Sequence, residues 1–332
     1  MRIVVAHSRL STFGGGERAT LELLCRLACR HEVALWAGHY AAEKTFAGLR
    51  AFHRKELAGV EWLVRSPDAD VVITQTFGSN LLALHHPRTI CYLHSMRSLY
   101  LSGSWRPDLV VRRILDRAAV SKAAAFLTNS QFTATAATQV YGIAPEVVPL
   151  GVASRHFSRP VSSGTYMLYV GRLAPEKGIE RMLAWSADIP VDLVLVGDGE
   201  AQYTRHLRQV AGPRVRFAGP LEGEALATMY AECRCLVFLP YAEEFGLAAL
   251  EAMAAAKPVL ASAEGGLQEL VHDGETGFLV RNQEQFLVRI YELLSSNSLC
   301  AQLGQRGREV AQAYTWDGFA QRIEDICVSL CP

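Results

Sequence analysis

Residues 240–251 read PYAEEFGLAALE and join an apolar run at 235–239 to a run of strong helix formers at 247–256. The first run is typical of a buried strand and the second of a helix, so the turn opens a helix at the carboxyl end of a strand. Open α/β sheets bind ligands at that edge, and free N–H groups at a helix start favour phosphate. Glu251 lies within reach of a ligand held there, so a phosphate-bearing ligand with hydroxyl groups fits. An ordinary strand–turn–helix with Glu243 and Glu251 solvated fits these local features equally well.

Length and composition limit the class of protein. The chain has 332 residues, 50% of them hydrophobic, which is enough for two domains with buried sheets. The formal net charge is zero and no base-stacking motif is present, so we expect no nucleic-acid partner. No stretch is long and apolar enough for a membrane span, and the first strand soon meets His7 and Arg9, unlike a signal peptide. We therefore expect a cytoplasmic protein.

The eight cysteines do not form a metal-binding motif. Cys25 and Cys29 lie four apart on a predicted helix, as do Cys327 and Cys331, and no CxxC pair has a matching second half. Buried free thiols are the usual state of such cysteines in a cytosolic enzyme. We expect no structural metal.

Predicted strands and helices alternate along the whole chain. The strands of the first half are Arg2–Ala6, His31–Ala37, Asp70–Gln75, Arg88–Leu93 and Ala124–Thr128, with helices at Glu17–Arg30, Asp108–Ser121 and Phe132–Tyr141. A mostly polar stretch at 154–165 is typical of a linker. The strands then resume at Tyr166–Val170, Val191–Val196, Val215–Ala218, Cys235–Leu239, Pro258–Ala261 and Gly277–Val280. This rhythm predicts two doubly wound parallel sheets with a cleft between their strand ends.

Three further positions follow predicted strands. Gly14-Gly-Gly16 opens a helix and lets a ligand approach the backbone, but it is not GxGxxG, and a flexible turn is the alternative. Arg172 and Lys177, five residues apart in one loop, can clamp a diphosphate, with solvated surface cations as the alternative. His94 ends a strand on the cleft side, where a functional and a structural histidine are equally expected.

A cationic segment spans residues 105–122. Its cations are Arg106, Arg112, Arg113, Arg117 and Lys122, among Leu109, Val110, Ile114 and Leu115. This composition fits an interfacial helix in weak contact with anionic lipid at the inner membrane face, or a sheet-covering helix with a solvated cationic face. We favour the second interpretation, because Asp108 and Asp116 dilute the charge.

Taken together and in order, the motifs resemble those of the retaining GT-B glycosyltransferases with an E-x7-E motif, the group 1 glycosyl transferases. The matching pieces cover nearly the full chain and are Gly14–Glu17, Thr128–Ser130, Val148–Val152, Val170–Arg172, Glu176–Gly178, Val196–Gly199, Glu243–Glu251 and Gly265–Gly266. Residues Ile90–Arg97 and Asn129–Gln131 look most like the mannosyl- and hexosyltransferase branch. The resemblance implies two Rossmann-like α/β domains facing across a cleft.

These domains would be an acceptor-side domain at residues 1–152 and a nucleotide-sugar domain at 164–314. The resemblance also places the last helix, at 315–332, back on the first domain. An apolar face left over around Trp316 and Phe319 supports that placement.

The resemblance assigns roles to the candidate residues. Arg172 and Lys177 match the diphosphate clamp, and Glu251 matches the acid that holds the ribose hydroxyls. Glu243 matches the acid set against the donor sugar, and His94 the cleft histidine facing it. The remaining donor-binding positions are Phe245, Gly246, Leu247, Gly14, Gly15, Gly16 and Gly171.

The activity implied is transfer of a hexosyl unit from a UDP- or GDP-sugar to an acceptor hydroxyl with retention of configuration, without a metal or another cofactor. The alternatives are a sugar-nucleotide epimerase of the same architecture, an NAD-type oxidoreductase and a non-catalytic carbohydrate-binding protein. The sequence departs from the family at Ala254–Pro258, which lacks the usual glycine, and at Glu244, often Gly or Asp. The short first half makes acceptor binding the least transferable property.

Overall fold

The computed structural model describes residues 1–58, 61–96, 107–157 and 163–331. The chain divides into two compact units. The first unit comprises Met1–Leu150 together with Trp316–Pro332, and the second comprises Gly151–Thr315. The C-terminal segment therefore belongs to the first unit.

The first unit is built on a parallel sheet that has seven strands within the described ranges. Its strands are β1 (Arg2–His7), β2 (Glu32–Ala37), β3 (His53–Glu56), β4 (Val71–Thr74), β5 (Thr89–Leu93), β6 (Ala125–Thr128) and β7 (Glu146–Val147). They lie in the order β3-β2-β1-β4-β5-β6-β7. Its helices are α1 (Gly15–Leu27), α2 (Glu61–Val64), α3 (Pro107–Lys122), α4 (Gln131–Tyr141) and, from the C-terminus, the last helix at Trp316–Ser329.

The second unit repeats this plan with six strands in the part of the chain that the structure describes. They are β8 (Tyr166–Val170), β9 (Asp192–Val196), β10 (Val215–Gly219), β11 (Cys235–Phe238), β12 (Val259–Ser262) and β13 (Gly277–Val280), in the order β10-β9-β8-β11-β12-β13. The helices are α5 (Ile179–Trp185), α6 (Ala201–Val210), α7 (Gly223–Glu232), α8 (Leu247–Ala254), α9 (Leu267–Leu270), α10 (Gln283–Ser295) and α11 (Asn297–Ala311). The C-terminal helix, Trp316–Ser329, is α12.

Both sheets have the strand order of a doubly wound fold, so the predicted fold class is confirmed. The order reverses between β1 and β4 in the first sheet and between β8 and β11 in the second. Loops that follow the two strands at such a reversal diverge to opposite faces and leave a crevice where ligands bind. The loops after β8 and β11 carry half of the predicted site residues, and the fold places them at this reversal.

The central strands are buried on both faces. Every residue of β4, β5, β11 and β12 is buried. Helices cover both sides of such sheets, so these strands appear in sequence as uninterrupted apolar runs rather than as alternating patterns. This is why the sequence predicts them with bounds correct to one or two residues.

Two strands escape sequence prediction. β3, at His53–Glu56, reads HRKE and lies at the edge of the first sheet, where charged side chains are tolerated and block further strand pairing. β7, at Glu146–Val147, is two residues long. Neither carries an apolar run, so hydrophobic periodicity does not reveal them.

Helix α12 packs on helix α1 within the first unit. Arg26 Nε donates to Asp317 Oδ1 at 2.6 Å, and Glu324 pairs with His31 Nε2 at 2.7 Å and with Arg30. The apolar side of the helix is also buried, since Phe319 meets the ring of Tyr92 edge-on at 5.5 Å. Packing and ion pairs together fix the C-terminal helix to this unit.

The expectation that Asp116 dilutes the surface charge of α3 is wrong. Its carboxylate is fully buried, accepting from Asn80 Nδ2 at 3.0 Å and from Tyr141 OH at 2.6 Å. A buried carboxylate needs such partners, and here they tie α3 to the short helical segment Ser79–Leu84 and to α4. Residues 105 and 106 of the cationic segment lie outside the described residues, as does the side chain of Asp108.

All eight cysteines are free thiols. Burial raises the pKa of Cys91 and Cys233 to about 12, so both remain protonated thiols. In the described ranges, no group of three His, Cys, Asp or Glu side chains is arranged to hold a metal ion. Among the same residues, no helix combines the length and apolar character needed to cross a bilayer.

Candidate active site

Two predicted catalytic residues of the second unit meet at the reversal of its sheet. Lys177 Nζ, in the loop after β8, donates to Glu243 Oε2, in the loop after β11, at 2.7 Å. The two side chains are only 19% and 13% exposed. Lys177 is therefore not a solvated surface cation, and its charge is held at the crevice by a carboxylate 66 positions away in sequence.

Gly178 allows the two loops to approach each other. Its φ is +64°, and a Cβ there would lie 2.0 Å from the carbonyl oxygen of Leu239. The contact is completed by Tyr241 N, which donates to the carbonyl oxygen of Glu176 at 2.9 Å. Only glycine fits this position, because both its backbone conformation and its surroundings exclude a side chain. Lys177 immediately precedes it and is placed by this approach.

Arg172 lies on the same loop but is held differently. Its Nη2 donates to Glu176 Oε1 at 2.8 Å, and the side chain is 48% exposed. The backbone below it is fixed, since Tyr169 OH donates to the carbonyl oxygen of Arg172 at 2.9 Å. Gly171, with φ +153°, sits against that phenol, where a Cβ would lie 3.0 Å from the oxygen. Arg172 is thus held less firmly than Lys177, because exposed ion pairs hold side chains weakly.

Helix α8 begins at Leu247, and Gly246 before it has no side chain to cap the first N–H groups. The φ of Gly246 is +99°, and a Cβ there would lie 2.6 Å from Leu267 Cδ2. The neighbouring Phe245 is buried and meets the ring of Tyr314 edge-on at 6.2 Å. The helix therefore starts next to Glu243 with N–H groups oriented for an anion.

Glu251 lies on α8 and has a partner that the sequence did not reveal. Tyr230 OH, from α7, donates to Glu251 Oε2 at 2.8 Å. Burial, and then the Glu251 charge, raises the pKa of Tyr230 well above its ordinary value, so the phenol stays protonated. The carboxylate is thereby held in one orientation on the helix.

Two glycines after β12 contact the main chain of Glu243. Gly266 N donates to the carbonyl oxygen of Glu243 at 2.7 Å. Gly265 has φ +68°, and a Cβ there would lie 2.2 Å from the same carbonyl oxygen. Gly265 and Gly266, one of the pieces that match the family, therefore pack directly against the main chain of the predicted catalytic acid.

Arg181, on α5, is a site residue that sequence reasoning missed. Its Nη2 donates to the carbonyl oxygens of Leu239 and Pro240 at 2.6 and 3.0 Å, and its Nη1 to Glu264 Oε1 at 2.9 Å. The guanidinium carbon also lies 4.3 Å from the ring centre of Tyr241. The clamp fixes the turn that carries Glu243. The sequence could have indicated this role, since Arg181 lies four residues after Lys177 on an otherwise apolar helix face, where a buried arginine is expected to have partners.

We expect Arg181→Ala to lower the free energy of unfolding by about 2–3 kcal/mol, because the carbonyl oxygen of Leu239 and the Glu264 carboxylate lose a charged donor. Urea unfolding followed by circular dichroism measures the change. Arg205→Ala, on the exposed face of α6, is the matched control and should change stability by less than about 0.5 kcal/mol. Equal effects of the two substitutions would show that Arg181 is not a clamp.

In the first unit, two histidines face the start of α1. His7 ends β1 and His94 follows β5. A Cβ on Gly16 would lie 3.7 Å from His7 Nε2 and 3.7 Å from His94 Cδ2. Burial lowers the pKa of His7 to about 4, and burial together with His7 lowers that of His94 to about 3. Both imidazoles are therefore neutral near pH 7.

The predicted glycine loop lies beside this pair. Gly14 precedes α1, and Gly15 and Gly16 form its first residues. Thr12 Oγ1 donates to Glu17 Oε1 at 2.6 Å and folds the loop back onto the helix. Both ring nitrogens of His94 are buried without a hydrogen-bond partner among the described residues. The sequence indicated His94 by its position at a strand end, and His7 carries the same signal after the predicted strand Arg2–Ala6 but was not singled out.

These two histidines predict a pH dependence of stability. An unfolded histidine titrates near pH 6.5, so below that pH the unfolded chain binds protons that the folded chain does not. Above pH 6.5 both states are unprotonated at these histidines, so the free energy of unfolding does not depend on them. Between pH 6.5 and 5 it should fall by up to about 1.4 kcal/mol per pH unit for each histidine. Urea unfolding across this range tests it. His94→Gln should remove about half of the slope, and an unchanged slope would contradict the assignment.

Comparison with known proteins covers both halves of the chain. The family model "Glycosyltransferase Family 4" matches residues 13–155, and "Glycosyl transferases group 1" matches residues 154–310. An uncharacterized glycosyltransferase of Methanocaldococcus jannaschii is 31% identical over 154 residues, covering 45% of this chain and 44% of the relative. The D-inositol 3-phosphate glycosyltransferase of Corynebacterium diphtheriae is 32% identical over 176 residues, covering 48% of this chain and 41% of the relative. The chain thus spans less than half the length of these two relatives.

Among solved structures, that of Anabaena HepE in complex with UDP and glucose superposes with a TM-score of 0.84. The match covers 99% of this chain and 100% of HepE at 21% sequence identity, so it reports on the fold. With glycosyltransferase models matching both halves and two doubly wound sheets in place, the chain belongs to the GT-B glycosyltransferases.

Proposed function

We propose that the chain transfers a hexosyl unit from a UDP- or GDP-sugar to an acceptor hydroxyl, with retention of the anomeric configuration. The observation that carries the proposal is the Lys177–Glu243 ion pair, 2.7 Å long and largely buried, beside the glycine-opened start of α8. A cation, a carboxylate and free N–H groups converge there at the carboxyl edge of a parallel sheet. Such an edge is the usual ligand site of this fold.

In this proposal the diphosphate of the donor lies at the start of α8. Lys177 and Arg172 supply positive charge, and the N–H groups after Gly246 supply hydrogen-bond donors. Glu251 accepts hydrogen bonds from the ribose hydroxyls, with Tyr230 holding the carboxylate in place. Glu243 lies nearest to Lys177 and would face the sugar that the diphosphate carries.

The proposed reaction follows from this placement of charge. The bond between the anomeric carbon and the diphosphate oxygen breaks, and the growing negative charge is stabilised by Lys177, Arg172 and the helix start. The acceptor oxygen bonds to the anomeric carbon from the same face, and its proton passes to the departing diphosphate. No side chain is required as a general base, which agrees with a site whose carboxylates already have partners at Lys177 and Tyr230.

The relatives support a nucleotide-sugar donor. A relative from Corynebacterium glutamicum is named as a GDP-mannose-dependent alpha-mannosyltransferase, and HepE was solved with UDP and glucose. The same chemistry extends to this chain as part of the proposal. The roles that the resemblance gives to His94 and to Gly14, Gly15 and Gly16 remain predictions.

A thermal-shift screen of nucleoside diphosphates, followed by turnover of the matching UDP- and GDP-sugars, tests the function. A ligand at a hundred times its dissociation constant should add about 2.7 kcal/mol to stability. Stabilisation by a diphosphate together with slow release of free sugar from its donor supports a transferase. Stabilisation without sugar release, but with conversion of the sugar to its epimer, would support an epimerase. No response to any diphosphate would overturn the proposal.

Metal independence is a further part of the proposal. Arg172 and Lys177 place two cationic groups on one loop, where other nucleotide-sugar sites use a divalent ion. We therefore expect donor turnover to persist in excess EDTA, measured as release of nucleoside diphosphate. Loss of turnover in EDTA and its return with Mg²⁺ or Mn²⁺ would show that a metal is required.

A further inference from the structure

The exposed side of α3 combines aliphatic and cationic side chains without acidic ones among its described residues. Ile114 is 62% exposed and Val111 57%, values unusual for large aliphatic side chains on a helix that covers a sheet. Arg117 and Lys122 are exposed on the same helix. Asp116 lies on the buried side of α3, so its negative charge does not offset the positive charges of Arg117 and Lys122 at the surface.

A groove of about 410 Å³ runs between α3 and α4 and belongs to the same surface. It is lined by Met96, Val110, Arg113, Ile114, Arg117, Ala136, Gln139 and Val140. Val110, Arg113, Ile114 and Arg117 recur at helical spacing, so aliphatic and guanidinium groups alternate along one wall. The described lining contains no acidic residue.

We propose that this surface, defined by Val110, Val111, Ile114, Arg117 and Lys122 and named here the α3 surface, docks on an anionic lipid bilayer. The aliphatic side chains would enter the boundary between headgroups and acyl chains, and the cations would meet lipid phosphates. Charge complementarity selects this occupant, since cations flank an exposed aliphatic strip with no exposed acid among the described side chains of α3, and such a strip matches an anionic, amphipathic partner.

Two other features of the chain allow binding by the α3 surface to be distinguished from nonspecific attraction between a cationic protein and anionic lipid. The formal net charge of the whole protein is zero, so the cations of α3 are a local concentration. A second cationic region, with exposed Arg205 and Arg214, lies in the second unit around α6 and β10. Because the two pairs carry the same charge, Arg205 and Arg214 offer a matched control.

Flotation with vesicles tests the proposal. The purified chain is mixed with vesicles of 70% phosphatidylcholine and 30% phosphatidylglycerol, or of phosphatidylcholine alone, at low salt. We expect binding to the anionic vesicles alone, weakened by roughly 30-fold in Arg117→Gln/Lys122→Gln, the contribution of about two interfacial cations. Arg205→Gln/Arg214→Gln should bind like the unmodified chain.

The aliphatic contribution is tested separately. Val111→Ser/Ile114→Ser changes only exposed side chains, so the fold should persist, as circular dichroism would verify. Binding to anionic vesicles should drop several-fold and remain weak even at low salt. Hydrolysis of the sugar donor in solution should stay unchanged in all these variants.

Three results would overturn the proposal. One is no flotation with anionic vesicles, and another is an equal loss in the α3 pair and the α6–β10 pair. The third is a concentration-dependent dimer in sedimentation that the α3 substitutions abolish, which would make the surface a contact between two copies of the chain.

Discussion

Lys177→Ala is expected to lower kcat for glycosyl transfer by about a hundredfold or more, while the KM for the donor rises less. The scale is that of losing one preorganised group that stabilises charge growing in the transition state. Lys177 Nζ is only 2.7 Å from Glu243 and largely buried, so its position is fixed before the substrate binds. A fixed charge contributes more to the transition state than a mobile one, because it does not have to be ordered during the reaction.

Arg172→Ala should also lower kcat and raise the KM for the donor. We expect the fall in kcat to be smaller than in Lys177→Ala. The Arg172 side chain is 48% exposed and paired with Glu176 on its own loop, so ligand binding must recruit it from a solvated state. Steady-state kinetics at saturating acceptor measure both constants. Unchanged kcat with raised KM in both variants would mean that the cations hold the donor without stabilising the transition state.

Two controls separate charge from geometry at Lys177. Lys177→Arg keeps the charge but replaces a point charge with a planar fork, so activity should return only in part. Glu243→Gln leaves Lys177 in place without its anionic partner. If Lys177 binds the diphosphate, this variant should bind nucleoside diphosphate at least as tightly as the unmodified chain, even though its turnover falls. Circular dichroism confirms that each variant is folded.

Features with a local sequence pattern can be predicted from the sequence, and features that depend on distant neighbours cannot. Buried strands such as β11 and β12 are continuous apolar runs, so their positions and the doubly wound fold follow directly from composition along the chain. Loop residues such as Arg172 and Lys177 are also found, because they follow those strands. Strand β3 is lost, because its residues are charged and its pairing depends on a neighbour far along the chain.

Side-chain contacts between elements that are far apart in sequence could not be predicted from the sequence. The bond from Tyr230 to Glu251 joins two helices, and the clamp of Arg181 joins α5 to carbonyl groups after β11. Neither contact has a local pattern, since each depends on which helices the sheet brings side by side. Asp116 shows the same limit, because its position on α3 suggested exposure while its partners Asn80 and Tyr141 lie on other elements.

These supporting contacts explain why the site is set up before any ligand binds. The main chain of Glu243 is fixed by Gly266 N at 2.7 Å, and the turn before it is held by Arg181. The cost of ordering these groups is therefore met during folding rather than at substrate binding. The same contacts are also where substitutions would damage stability and activity together.

The second large effect is expected at Glu251, which we propose holds the ribose. Glu251→Ala should weaken nucleoside diphosphate binding by roughly 10- to 150-fold, since the ribose hydroxyls lose a charged acceptor worth about 1.5–3 kcal/mol. Isothermal titration with UDP and GDP measures the dissociation constants. Glu251→Gln keeps the shape of the side chain without the charge and should give an intermediate value.

Tyr230→Phe decides whether Glu251 serves the ligand or only the packing of its helix. Tyr230 OH donates to Glu251 Oε2 at 2.8 Å, so removing the hydroxyl takes away one contact that orients the carboxylate without removing its charge. If Glu251 holds the ribose, Tyr230→Phe should weaken binding by about fivefold, and much less than Glu251→Ala does, because the carboxylate keeps its charge. If Glu251 is structural, both substitutions should lower the free energy of unfolding to a similar extent and leave the dissociation constants unchanged. In that case the ribose site must be sought elsewhere along the carboxyl edge of the second sheet.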